Sequence, residues 1–335
     1  MDFSISMSKI NTYEYCPRCF YYSYIKKMNE KVAQSTFDGI TSHEAIHLAT
    51  NEMDTSLMCS LGEDRNRLKT YLVFLGLKHT PLGNTAPSGY EFTGYTDLGE
   101  ALGFIDNPPR MDKIISNWAD FMVDYWLELR NLFKGDCGKV RGYFEPFLVE
   151  KEIRVNEEMS GKIDVVFRVP PQMVKVLFND VKPRELKSDF YLILDYKTGN
   201  VPAAVERGEN YFRTKDSLQL HFYAYLLSKK SKGEIPLKKI IVGILFLGGH
   251  KPHLVLKRAN ATSVAAVLKK KEKLKQEYDM FKDDADHWKP AWEVYKCEGT
   301  LTNPPSPCQF VDICWREHLK DVFVLVKTGK DAVIK

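Results

Sequence analysis

The chain has 335 residues, 44% hydrophobic and 27% charged, with a net charge of +4. That size allows one large domain with an insertion, or two domains sharing a core, and a soluble globular protein is expected. No run reaches the roughly 18 apolar residues of a membrane span, and the opening MDFSISMSKINTYEYC lacks the pattern of a signal peptide, so a cytoplasmic protein with no membrane partner is expected.

Ser6 and Ser8 are suitable N-caps for a first helical segment over residues 5–30, in which Ile10, Tyr13, Cys16 and Phe20 recur at helical spacing. A second helix after Gly39 carries His43 and His47. From about 50 to 140, amphipathic runs such as SNWADFMVDYWLELRNLF and a Pro/Gly-rich loop near Pro81 to Tyr95 describe a helical insertion. The pattern then changes. FLVEKEIRV, KIDVVFRV, FYLILDYKT and KKIIVGILFLG are short, rich in Val, Ile, Phe and Tyr, and bounded by turn residues, which predicts four strands. SLQLHFYAYLLSKK, between the third and fourth, has helical spacing and predicts a strand–helix–strand crossover. A charged helix over about 262–283 leads to a Pro-rich, cysteine-containing tail. The expectation is an α/β fold divided at 1–48 (N-terminal helices), 49–140 (helical insertion), 141–260 (sheet core) and 261–335 (C-terminal helix and cysteines).

Charged groups on apolar strands need a reason. Asp164 lies inside GKIDVVF, and Asp195 and Lys197 end YLILDYKTG. Residues two apart on an extended strand project from one face, so Asp195 and Lys197 point together, and a neighbouring strand could bring Asp164 beside them. Two carboxylates and a lysine suit phosphodiester hydrolysis. The carboxylates hold a hard cation such as Mg2+ or Mn2+, and the lysine orients water or offsets developing charge. The bland alternative makes Asp195 and Lys197 ordinary strand-end surface residues.

These motifs, with GITSH before them and QLHFY after, resemble in order those of the RecB-like branch of the PD-(D/E)XK nucleases. The resemblance implies a restriction-endonuclease-like mixed sheet flanked by helices. It implies His43, Asp164 and Asp195 as metal ligands, Lys197 as catalytic, and Gln219 and Tyr223 as supports of the site that contact DNA. Gln219 and Tyr223 lie one helical turn apart, although Tyr223 fits core packing equally well. Glu150, ahead of the aspartate strand, is a further acid that could complete the metal shell. The implied activity is exonucleolytic cleavage of single-stranded DNA or free DNA ends, 5′ to 3′. Recombination, repair, phage replication and CRISPR adaptation are the settings, with helicase, recombination or CRISPR-adaptation proteins as partner classes.

Seven cysteines cluster mainly at the two ends, a distribution that favours ligation over crosslinks in a cytosolic chain. Cys59 and Cys137 stand apart and are expected to be free thiols. SISMSKINTYEYCPRCFYYSYI resembles the N-terminal segment of the iron–sulfur nucleases of the AddB type and of CRISPR-associated RecB-like enzymes. Cys308 and Cys314 share their C-x5-C spacing. The resemblance implies a 4Fe-4S cluster held by Cys16, Cys297, Cys308 and Cys314. Cys297 departs from the pattern, with ten residues before Cys308 where two are usual, so Cys19 is the alternative fourth ligand and zinc the alternative metal.

Two other classes remain open at this point. His43-Glu44-Ala45-Ile46-His47 fits the H-E-x-x-H helix of zinc metallopeptidases, with Glu52 or a later acid as third ligand. A non-catalytic DNA-binding module on a decayed nuclease fold is the other, opposed by the intact Asp164, Asp195 and Lys197. The lysines at 269, 270, 271, 273 and 275 fit a solvated helix face or a phosphate contact.

Overall fold

The computed structural model describes residues 4–28, 34–80, 110–202, 215–289, 310, 313 and 314. The chain divides into two compact units, one of residues 1–4 and 35–267, the other of residues 5–34 and 268–335.

The larger unit is built on one sheet in the order β1-β2-β3-β4-β5: β1 (Leu148–Asn156), β2 (Met159–Val169), β3 (Phe190–Lys197), β4 (Ile240–Phe246) and β5 (His253–Arg258). The β1–β2, β2–β3 and β4–β5 pairs are antiparallel and β3–β4 is parallel. Parallel neighbours need a crossover, supplied by the helix that QLHFY belongs to. All seven residues of β4 and six of eight in β3 are buried, as expected of central strands covered on both faces. The sequence pattern predicted four strands. The fifth, β5, has six residues all half-buried, so an edge position gives HLVLKR no clean alternation to detect.

Among the described residues the helices of this unit are α3 (Gln34–Glu52), α4 (Thr55–Leu61), α5 (Arg65–Lys78), α6 (Arg110–Leu132), α7 (Cys137–Phe144), α8 (Pro171–Leu177) and α9 (Lys215–Lys230), numbered after two in the other unit. Asp54, Asp64 and Asp136 cap α4, α5 and α7 by accepting backbone N–H bonds. The stretch read as an insertion does not stand apart from the sheet. Leu72, Trp118, Met122 and Trp126 share one core with Val165, Phe167, Leu192, Leu194 and Leu245. The Pro/Gly-rich loop near Pro81 to Tyr95 lies outside the described residues.

Cys59 and Cys137 are not free thiols. They form a disulfide between α4 and α7, with Cα atoms 6.1 Å apart and 78 positions of sequence between them. Their pairing follows from helix packing, which no local spacing announces.

The smaller unit begins with α1 (Met7–Tyr15), capped by the Ser6 hydroxyl, which accepts from the Lys9 amide at 3.4 Å, and with α2 (Pro17–Phe20). Ser8 lies inside α1. Phe20 packs between Trp288 and Tyr13, with ring centroids 5.2 and 5.9 Å away, and the Arg18 guanidinium donates to the Ala285 carbonyl at 2.6 Å. The last long helix, α10 (Ala261–Phe281), carries the lysine run. That run is not a uniformly solvated face, because Lys270 pairs with Glu14 at 2.7 Å and Lys271 is buried. Among the described residues no helix is long and apolar enough to cross a membrane.

Candidate active site

Antiparallel pairing of β2 with β3 sets Val165 opposite Leu194, which brings Asp164 to the level of Asp195. The Asp164 carboxylate accepts the backbone N–H of Tyr196 at 2.9 Å, a bond that holds it against the next strand. Lys197, two residues beyond Asp195 as the strand period requires, reaches back so that Nζ lies 2.8 Å from Asp195 Oδ2. The two carboxylates and the lysine therefore converge at the end of β3.

Two helices close on this point. α3 presents His43, whose Nδ1 is 3.6 Å from Asp164 Oδ2. α9 presents Gln219, whose side-chain amide donates to the Tyr223 hydroxyl at 2.8 Å and to Asp195 Oδ1 at 3.4 Å. Tyr223 is 8% exposed and its ring packs over Gly161, where an added Cβ would come within 2.8 Å of Tyr223 Cε1. Packing and site support are thus one role for Tyr223. The glycine of GKID is what lets the helix come so close.

Burial dominates the electrostatics. It pushes the Asp164 carboxyl up to about 7, with the nearby Asp195 charge adding to the rise and the Tyr196 amide opposing it. Burial also lowers the His43 imidazole, which leaves the ring neutral with a nitrogen lone pair to offer, and raises the Tyr223 phenol.

Among the described residues no three His, Cys, Asp or Glu side chains are gathered closely enough to hold a metal ion. The chemistry of the donor set nevertheless suits one. A buried Asp164 carboxyl whose proton affinity the nearby Asp195 charge raises, beside a neutral imidazole, is stabilised as the carboxylate by a hard divalent cation, and the Lys197 ammonium already sits against Asp195.

A second group of residues flanks the first. Glu150 falls between the Val149–Val165 and Lys151–Ile163 pairs, opposite Asp164, and takes a left-handed backbone with φ of 42°. Its Oε2 is 3.1 Å from His47 Nδ1 and is also ion-paired with Lys162. His43 and His47 thus each face a strand carboxylate, whereas Glu44 is exposed on the helix, an arrangement that leaves the H-E-x-x-H pattern without its assembled site. No motif in the sequence singles out Lys162, although it lies two residues before Asp164 as Lys197 lies two after Asp195. Nor does any motif single out His221. It is fully buried, its ring nitrogens have no hydrogen-bond partner among the described residues, and burial lowers its pKa to about 4, so it behaves as a neutral core residue.

Of the cysteines given to a cluster, Cys16 and Cys314 are buried within the smaller unit, and so is Cys19. Cys314 lies one helical turn after Phe310, whose ring is 5.3 Å from that of Tyr22. Cys297 and Cys308 lie outside the described residues.

A mixed sheet with an aspartate on one strand, Asp-x-Lys at the end of the next and a crossover helix behind them defines a nuclease-type hydrolytic centre. Residues 4–315 match the family model of the PD-(D/E)XK nuclease superfamily, and the chain belongs to that superfamily. No curated protein matches the chain.

Proposed function

We propose that this protein is a metal-dependent DNA exonuclease of the RecB-like kind, acting on single-stranded DNA or free ends, 5′ to 3′, in recombination, repair, phage replication or CRISPR adaptation. The convergence of Asp164, Asp195 and Lys197 at the end of β3 carries the reading. Asp164, Asp195 and His43 would hold Mg2+ or Mn2+, which when bound polarises the phosphate and acidifies a water. The neutral ring of His43 presents a lone pair, and the Tyr196 amide keeps Asp164 in position. Lys197 orients the attacking water and offsets charge on the phosphate, while Gln219 fixes the Asp195 carboxylate. Tyr223 anchors Gln219 from behind.

In the smaller unit we assign a 4Fe-4S cluster to Cys16, Cys308, Cys314 and a fourth thiolate from Cys297 or Cys19. Support comes from the burial of Cys16, Cys19 and Cys314 and from the Tyr22–Phe310 contact between the two segments that carry them. The test is anaerobic purification, iron and sulfide analysis, and incubation with end-labelled single- and double-stranded DNA with and without Mg2+ or Mn2+. Cleavage abolished in Asp195→Ala and Lys197→Ala supports the reading; full activity in either, or in EDTA, overturns it. Internal cuts in circular DNA remove the exonuclease assignment alone, and stoichiometric zinc without iron replaces the cluster with a zinc site.

A further inference from the structure

Glu150 departs from its strand. A glutamate gains nothing from a left-handed backbone, yet β1 adopts φ of 42° there, directly opposite Asp164. Strain of that kind persists where surrounding contacts over-determine it and concentrates at working sites. The contacts are specific. Oε2 of Glu150 takes both the His47 imidazole and the Lys162 ammonium, and its side chain is 16% exposed against 59% for Lys162. The carboxylate is thus fixed by the helix while the lysine it gathers remains open to solvent.

Position gives that lysine a purpose. β2 and β3 run antiparallel, so stepping back from Asp164 to Lys162 and forward from Asp195 to Lys197 leads to the same end of the sheet. Lys162 is the one exposed residue of β2, a strand otherwise buried or half-buried. An exposed ion pair is worth little to stability, so stability alone does not account for a strained carboxylate that holds one. A polynucleotide crossing the site carries further phosphates beside the one that is cut, and an exposed ammonium can take the place of a counterion on one of them.

We propose that Lys162 is a second phosphate-contacting lysine, positioned by Glu150 and His47 to engage the phosphodiester next to the scissile one. The inference rests on the nuclease reading and adds a substrate contact to it. Lys162 leaves Glu150 for the incoming phosphate, and Glu150 keeps its bond to His47.

The test uses the full chain and a fluorescein-labelled single-stranded oligonucleotide. Binding is measured by anisotropy in Ca2+ across a salt series, and turnover separately in Mg2+. Removing one phosphate contact should lower the slope of log Kd against log salt by about 0.7. Lys162→Gln should show that loss and a several-fold higher KM, with kcat within about twofold of wild type, and Lys162→Arg should restore the slope. The double variant Lys162→Gln/Glu150→Gln separates contact from charge neutralisation. The lost slope should persist in it, whereas recovery to the wild-type slope means that Lys162 only neutralises Glu150 and overturns the proposal. An unchanged slope in Lys162→Gln also overturns it. Wild-type binding without Mg2+-dependent cleavage counts against the nuclease reading and leaves the slope to decide the contact.

Discussion

Gly248 sits where the catalytic strand turns away from the sheet, and Gly248→Ala should damage the site from outside it. The Leu247 amide donates to the Lys197 carbonyl at 2.8 Å and the Gly248 amide to the Gly199 carbonyl at 3.1 Å, while the Asn117 side chain donates to the carbonyls of Leu247 and Gly249 at 2.7 and 2.9 Å. A Cβ on Gly248 would lie 2.6 Å from the carbonyl carbon and oxygen of Gly199 and would also crowd the Thr198 carbonyl, where ordinary contact begins at 3.4 Å. The neighbours are backbone and the Thr198 oxygen is the nearest of them, so about 1 Å must come from moving the turn that follows Lys197. Overpacking of this kind costs about 1–3 kcal/mol, which lowers Tm by roughly 4–8 °C at 2 kcal/mol in a unit of this size. A misplacement near 1 Å at a reacting group costs on the order of 10²-fold in rate. Gly249→Ala is the control, because its Cβ would meet nothing closer than 3.4 Å. Thermal unfolding and single-turnover cleavage of both variants give the answer. Wild-type stability and rate in Gly248→Ala would refute the reasoning.

Further outcomes follow from the same geometry. His43→Ala should impair DNA cleavage whereas Glu44→Gln should leave it largely intact, since only His43 faces Asp164 and Glu44 is exposed; zinc-dependent peptide cleavage lost in Glu44→Gln would reverse that assignment. The Asp164 carboxyl is pushed up to about 7 in the folded chain from a usual value of 3.8, so the native state binds more protons between those limits. Stability of the metal-free protein should therefore fall as pH rises from about 4 to 7, and urea titrations in EDTA should show Asp164→Asn removing the fall. Cleavage in limiting Mg2+ should decline as pH drops through about 7, where the proton competes with the cation; a flat profile would contradict the buried carboxyl. Reduction of Cys59–Cys137, or Cys59→Ser, opens a link across 78 positions and should cost about 2–4 kcal/mol, measured as a lower Tm in dithiothreitol. Cys16→Ala and Cys314→Ala should give colourless, readily proteolysed protein, and the fourth ligand is whichever of Cys297→Ala and Cys19→Ala bleaches the visible absorption.

Local chemistry carried much of this protein into view from its sequence. The period of two in ILDYK places Asp195 and Lys197 together on any extended strand, the four-residue step places Gln219 above Tyr223 on any helix, and short runs rich in Val, Ile, Phe and Tyr mark β3 and β4 as strands. Contacts between segments distant in sequence were another matter. The pairing of Cys59 with Cys137, the left-handed turn that hands Glu150 to His47 and Lys162, the closeness of Tyr223 to Gly161 and the half-buried strand β5 leave no periodic trace. Each depends on where separate helices and strands meet. Periodicity reports which face of one element is apolar; only the packed structure decides which face of another element it finds.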